Sequence, residues 1–258
     1  MYLSYLLVDT GGNPDRPRPG RRWIGNAYNI HRRLSMAFPR YEALISDPDC
    51  LQPFNPSMLE NRPFLYRLDN NVSGDGQRAV IIVQSTLKPN WEWCFHNAPD
   101  FLAAPPVLKL YNPDFLAGEK LRFRIKVNPT VKTKNYKTKD ETLAEKEKPS
   151  KRLALTWDTD SDPETAVNAW FARKTETSGF RLIQSKLILL SWVYGSKMKE
   201  EKGQIEEGKV LHHGMKFRSA LLEGCLEVTD PDAFLKSLAD GIGSAKSMGF
   251  GLLSVVRQ

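Results

Sequence analysis

A tyrosine and a histidine three residues apart, Tyr28 and His31, form the chain's most direct acid–base pair. On a helix they would lie one turn apart on the same side, with Ser35 continuing that polar flank. An imidazole titrates near pH ~6.5, so it can take and give protons at working pH. Cutting an RNA backbone needs this chemistry: a base for the 2′-hydroxyl and an acid for the leaving 5′-oxygen. The same spacing also suits a helix-flank histidine beside a structural tyrosine, and spacing alone does not choose between them.

Two loops could hold a polyanion against such a pair. Residues 128–152 lie between two expected strands and carry Lys132, Lys134, Lys137 and Lys139 around Tyr136, with Lys151 and Arg152 at the return. A basic hairpin tip of this kind can neutralise phosphates along a duplex groove. Glu141, Glu145 and Glu147 in its second half allow a plain solvated loop equally well. The second loop spans 241–251 and contains Gly241, Gly243, Gly249 and Gly251 together with Ser244, Lys246 and Ser247. Glycines let a backbone approach a phosphate closely and aim N–H groups at it. Eleven residues is long for a simple turn, which favours contact.

This glycine loop is not a nucleotide-binding signature. The Walker pattern needs glycine directly before the lysine, where Ala245 stands, and a dinucleotide fingerprint would need glycine at Lys246. A nucleotide-dependent enzyme built on the loop is therefore a weak rival. His212 and His213 are adjacent on a strand, point to opposite faces and have no completing ligand, so no metal site and no cofactor are expected. Trp91, Trp93 and Phe95 would share one face of an extended segment, as core or interface. His96 has no evident partner, and no G-x-S-x-G nucleophile elbow is present.

The elements that must position these groups follow from periodicity and breakers. Residues 1–9 read as a strand, and 10–22 as a Pro/Gly/Arg-rich loop without regular structure. Asn26 is the expected N-cap of a helix running to Phe38, with Ala27, Ile30, Leu34, Ala37 and Phe38 on its apolar stripe and Pro39 closing it. Residues 63–69 and 78–84 form a hairpin, and 97–113 a short element plus linker. The order then repeats. Strand 121–127 alternates strictly, a helix within 156–179 is capped near Asp162, and strands follow at 182–193 and 217–228. Asp230 and Pro231 open a short helix ending at Gly241, before a last strand at 252–256. This points to an α+β fold of tandem ferredoxin-like domains with antiparallel sheets, divided as 1–105 and 106–258.

Composition fits a folded protein, and its charge suits a mildly basic soluble chain and a polyanion partner equally. The 258 residues are 41% hydrophobic and 26% charged, with a net charge of +7. Cys50, Cys94 and Cys225 never form a C-x-x-C pair, which argues against zinc or disulfides and suits a reducing cytoplasm. No apolar run approaches the ~18 residues of a membrane span, and the first residues lack the marks of a signal peptide.

Three stretches together resemble the CasE-type endoribonucleases, the precursor-RNA-processing subunits of the type I-E Cascade complex. They are MYLSYLLVD at the start, Tyr28-Asn29-Ile30-His31 in the helix before Phe38-Pro39, and the ending DPDAFLKSLADGIGSAKSMGFGLLSVVR. FRIKVNPT and AWFARKTETSGF support the match, which spans the whole chain. The resemblance implies two ferredoxin-like domains, related to RNA recognition motifs, that bind the stem-loop of one CRISPR repeat. It further implies metal-independent cleavage at the 3′ base of that stem, leaving a 2′,3′-cyclic phosphate, with other Cascade subunits as partners. By the same resemblance His31 is the catalytic histidine and Tyr28 its accompanying tyrosine. The glycine loop matches an RNA-contacting loop, and the basic hairpin an element that enters the RNA groove. Loops 10–22 and 128–152 are longer than in compact family members, and Lys246 matches only a phosphate contact. A non-catalytic RNA-binding scaffold subunit is the rival from another class.

Overall fold

The computed structural model describes residues 1–11, 19–38, 64–70, 76–133, 151–157, 162–199 and 211–258. The first sheet is built from β1 (Tyr2–Asp9), β2 (Phe64–Asp69), β3 (Arg78–Ser85) and β4 (Val107–Leu110). Their order is β2-β3-β1-β4, with every neighbouring pair antiparallel. Helices α1 (Pro19–Ile24) and α2 (Ala27–Ser35) follow β1, and α3 (Trp91–Phe95) follows β3. Alternate residues of β1 and β3, among them Leu6, Val8, Ile81 and Val83, are fully buried beneath Ile30 and Leu34 of α2.

The second sheet repeats the plan. It comprises β5 (Lys120–Val127), β8 (Phe180–Lys199), β9 (Leu211–Val228) and β10 (Leu253–Arg257) in the order β10-β5-β9-β8. Helices α4 (Pro163–Thr175) and α5 (Pro231–Asp240) cover one face, and the β6 (Thr130–Thr133) and β7 (Lys151–Ala154) hairpin is inserted after β5. Leu121, Phe123 and Ile125 of β5 pack with Phe171 and Phe234 of the helices in a second core. Each unit is thus β-α-β-β-α-β with the fourth strand beside the first, the tandem ferredoxin-like arrangement.

Several elements depart from the sequence reading for local physical reasons. The end of the 10–22 loop is helical: Pro19 sits in the first turn of α1, where its fixed φ suits a helix start. The segment holding Trp91, Trp93 and Phe95 is a helix and not extended, because the Asn90 side chain accepts from the Trp93 amide and caps it. Trp91 and Phe95, four residues apart, are its buried face. Helix α2 stops at Ser35, yet Ala37 and Phe38 remain buried in the turn beyond it. Strand β4 lies past residue 105 and pairs with β1, so the first sheet reaches Leu110. Strands β8 and β9 run well beyond 193 and start well before 217, as one long two-stranded ribbon.

The two units meet along β2. Arg67 is almost fully buried there, donates to the Arg124 carbonyl and Ser254 Oγ of the second unit, and is neutralised by Asp69 at 3.0 Å. Lys126 Nζ donates to the Leu68 carbonyl, and Gln84 Nε2 to the Leu238 carbonyl at the end of α5. A buried cation left without such partners would be strongly destabilising, so this seam is specific in register.

Candidate active site

Helix α2 is fixed at its first residue by one side chain with two duties. Asn26 has an extended backbone and its Oδ1 accepts from the Tyr28 amide at 3.0 Å, the N-cap geometry expected of asparagine. The same Oδ1 accepts from the Ser196 amide of β8, and Nδ2 donates to Ser196 Oγ at 2.8 Å. The cap therefore also pins the helix to the edge of the second sheet. Behind it, Ala27, Ile30 and Leu34 enter the core, which leaves Tyr28 and His31 half-buried on the flank.

The His31 ring packs on Phe64 with centroids 5.4 Å apart, and its Nδ1 is screened from solvent. Ser35 does not continue the polar flank outward: it is buried, and its hydroxyl donates back to the His31 carbonyl at 2.7 Å. Exposed Arg21, Arg22 and Arg32 put positive charge in the last turns of α1 and α2.

Tyr66 ties this helix to the glycine loop. Its hydroxyl is within 3.0 Å of the Ala27 carbonyl and 3.3 Å of the Ser247 carbonyl, so one O–H is shared between α2 and residues 241–251. Burial holds the Tyr66 phenol far above its usual range, which makes it a permanent donor. Gly249 takes φ +84°, and a Cβ there would come within 3.0 Å of the Tyr66 ring; Gly241, φ +73°, lies equally close against Leu65. The glycines bring the loop into contact with β2. Ser244 Oγ meets Asn128 Nδ2 and Thr130 Oγ1 at the root of the β6–β7 hairpin. Lys246 Nζ donates to the Asp240 carbonyl, at the C-terminal end of α5. Gly243 and Ser247 lie in the same loop, half-buried.

Of the hairpin cations, Lys132 and Arg152 stand directly opposite each other on β6 and β7, both exposed, and Lys151 pairs in register with Thr133. Lys134, Lys137 and Lys139 lie outside the described residues. A bonded series therefore runs from the hairpin root through Ser244 and Ser247 to Tyr66, Ala27 and the Tyr28–His31 helix. A cavity of about 200 Å³ lies inside it, lined by Ala27, Ile30, Tyr66, Lys126, Tyr194 and Gly249 among others. Burial pushes the Lys126 amine down to about 8, partly offset by Asp69. Among the described residues no three His, Cys, Asp or Glu side chains gather where a metal ion could be held. Tyr66, Lys126 and the second role of Asn26 were not found from sequence, since each occupies a position where an ordinary strand or cap residue would stand.

A model of the CRISPR-associated protein family matches residues 1–257 of this architecture. The chain belongs to that family. The CRISPR-associated endoribonuclease Cse3 of Thermus thermophilus is 29% identical over 260 residues, covering 99% of both chains. A structure of Cse3 bound to a 19-nt RNA superposes with a TM-score of 0.66 at 27% identity, over 99% of this chain and all of the other. A Thermus thermophilus Cse3 structure with an RNA representing a pre-cleavage complex gives a TM-score of 0.62 at 27% identity, covering 99% and 98%. Membership in the CRISPR-associated family thus extends over both sheets and both loops.

Proposed function

We propose that the protein is an endoribonuclease that cuts CRISPR precursor RNA at the 3′ base of the repeat stem-loop, without a metal ion. The observation that carries this reading is a half-exposed Tyr28–His31 pair on a helix bonded at Asn26 to the second sheet and, through Tyr66 at Ala27, to the glycine loop. The 2′-oxygen attacks the adjacent phosphorus, and the bond from phosphorus to the 5′-oxygen breaks. The 2′-hydroxyl proton passes to one ring of the pair, and the other gives a proton to the leaving oxygen. The products are a 2′,3′-cyclic phosphate and a 5′-hydroxyl. Holding the ribose in line with its phosphate supplies much of the rate, and a rigid helix suits that task.

An A-form stem hides its base edges in a deep groove, so it is read by shape, phosphates and 2′-hydroxyls. Lys132, Lys134, Lys137, Lys139, Lys151 and Arg152 supply cations for that contact, and Gly241, Gly243, Ser244, Lys246, Ser247 and Gly249 the close backbone approach. The chain divides after β4: an N-terminal unit carries Tyr28 and His31, and a C-terminal unit carries the hairpin and loop. The product RNA stays bound as the protein joins other Cascade subunits in the cytoplasm. No helix is long and apolar enough to cross a membrane among the described residues. The test is incubation with its own repeat RNA in excess EDTA, followed by end-group analysis. Undiminished cutting with cyclic-phosphate ends is expected; loss of cutting in EDTA, or 3′-hydroxyl ends, contradicts the mechanism.

A further inference from the structure

The β8–β9 ribbon projects past the core and carries a series of alternating rings and cations on one face. Trp192 stands opposite Arg218 in register, and Tyr194 opposite Lys216. Lys216 Nζ lies 4.2 Å from the centre of the Trp192 ring and 5.8 Å from that of Tyr194. The Arg218 guanidinium carbon is 4.6 Å from Trp192 and 4.4 Å from Trp157. The sequence Trp157, Arg218, Trp192, Lys216, Tyr194 is therefore one continuous stack across the ribbon.

Two features separate this stack from ordinary surface packing. Three arginines elsewhere on the same sheet have carboxylate partners: Arg124 with Glu223, Arg181 with Glu227 and Arg257 with Glu119. Lys216 and Arg218 have none among the described residues and rest on rings instead. The rings are also open, Trp192 being 39% and Tyr194 56% exposed. A solvent-facing tryptophan and tyrosine interleaved with uncompensated cations are costly to leave bare and well suited to an anionic strand with flat bases.

The placement names the occupant. One end of the stack, Tyr194, is two residues from Ser196, to which Asn26 of the candidate active-site helix is bonded. The other end, Trp157, follows β7, just beyond Leu155, whose amide bonds the Pro129 carbonyl at the hairpin root. We infer that this stack binds unpaired nucleotides bordering the RNA stem, with bases on Tyr194 and Trp192 and phosphates at Lys216 and Arg218. Successive same-face residues of a strand are roughly 6.7 Å apart, a step that an unstacked RNA strand can follow. Duplex RNA is a poorer fit, because its bases present no free face to an aromatic ring. This inference rests on the ribonuclease reading above and adds a second RNA-binding surface to it.

The experiment measures affinity for two RNAs by fluorescence anisotropy. One is the repeat stem-loop with its single-stranded flanks, made uncleavable by a 2′-deoxy substitution at the cut; the other is trimmed to its paired stem and loop. For Lys216→Gln combined with Arg218→Gln, which removes both cations of the stack and neither wall of the active-site cavity, binding of the flanked RNA weakens about tenfold or more. Binding of the trimmed RNA changes less than twofold, and that arm also reports that the variant is folded. Unchanged affinity for the flanked RNA, or an equal loss on both RNAs, overturns the inference; the first outcome would leave the face to a protein partner. Wild-type cleavage of the natural repeat is measured in parallel, so failure of the nuclease reading is seen separately.

Discussion

The hydroxyl of Tyr66 reaches both halves of the candidate site from the middle of an apolar strand. Tyr66→Phe keeps the ring packing but withdraws the donor shared by the Ala27 and Ser247 carbonyls. Leaving buried carbonyls without it costs about 1–3 kcal/mol. The expected outcome is a lower melting temperature and a cleavage rate reduced more than repeat-RNA affinity, checked by thermal melts and single-turnover kinetics. Lys126 makes a different prediction, since burial lowers its amine from 10.5 to about 8. Below pH 8 both folded and unfolded chains hold the proton, and the buried charge destabilises the fold. Between pH 8 and 10.5 the folded chain releases it first, so wild-type stability gains with rising pH. Lys126→Met should then exceed wild type by about 2 kcal/mol at pH 7, with the gap closing by pH 10 in urea melts. A gap independent of pH would refute the assignment. At this scale the helical placement of Tyr28 and His31 was legible, and both lie half-buried on α2. Ser35 was misread, because a hydroxyl can turn inward to the backbone as easily as outward.

Helix α2 depends on a cap that serves two elements. Asn26→Ala removes the N-cap, worth about 1–2 kcal/mol, together with the bonds to Ser196. Asn26→Asp keeps an oxygen for the Tyr28 amide but loses the donor to Ser196. The Ala variant should therefore melt lower than the Asp variant, while both cut more slowly than wild type; equal rates for all three would contradict the anchoring role. Caps were the most readable part of the sequence: Asn26, Asp162 and Asp230 begin helices as expected, and Gly241 ends one with a positive φ. Strict alternation likewise located β5 to within one residue. Helix α3 was missed because five residues rich in Trp and Phe favour a strand by composition, and only Asn90 marks the helix start. The ends of β8 and β9 were missed because the ribbon leaves the core there, and apolar periodicity stops where burial stops.

The whole molecule places one fold twice, and β2 of the first copy is the seam against the second. That repetition was legible as an order of elements and not as repeated residues, since each copy packs a different core. The seam was not legible: Arg67 reads as a surface cation until the second unit covers it. The net charge of +7 likewise names a polyanion only once its cations are located, along the hairpin, beside α2 and on the β8–β9 ribbon. All of this geometry converges on the helix that carries His31, the residue proposed to exchange protons with the RNA. The most direct measurement compares His31→Ala with wild type on repeat stem-loop RNA, reading affinity and single-turnover cleavage together. Affinity within a few fold and cutting slowed by at least about 10²-fold are expected. Normal cutting by His31→Ala would contradict that role.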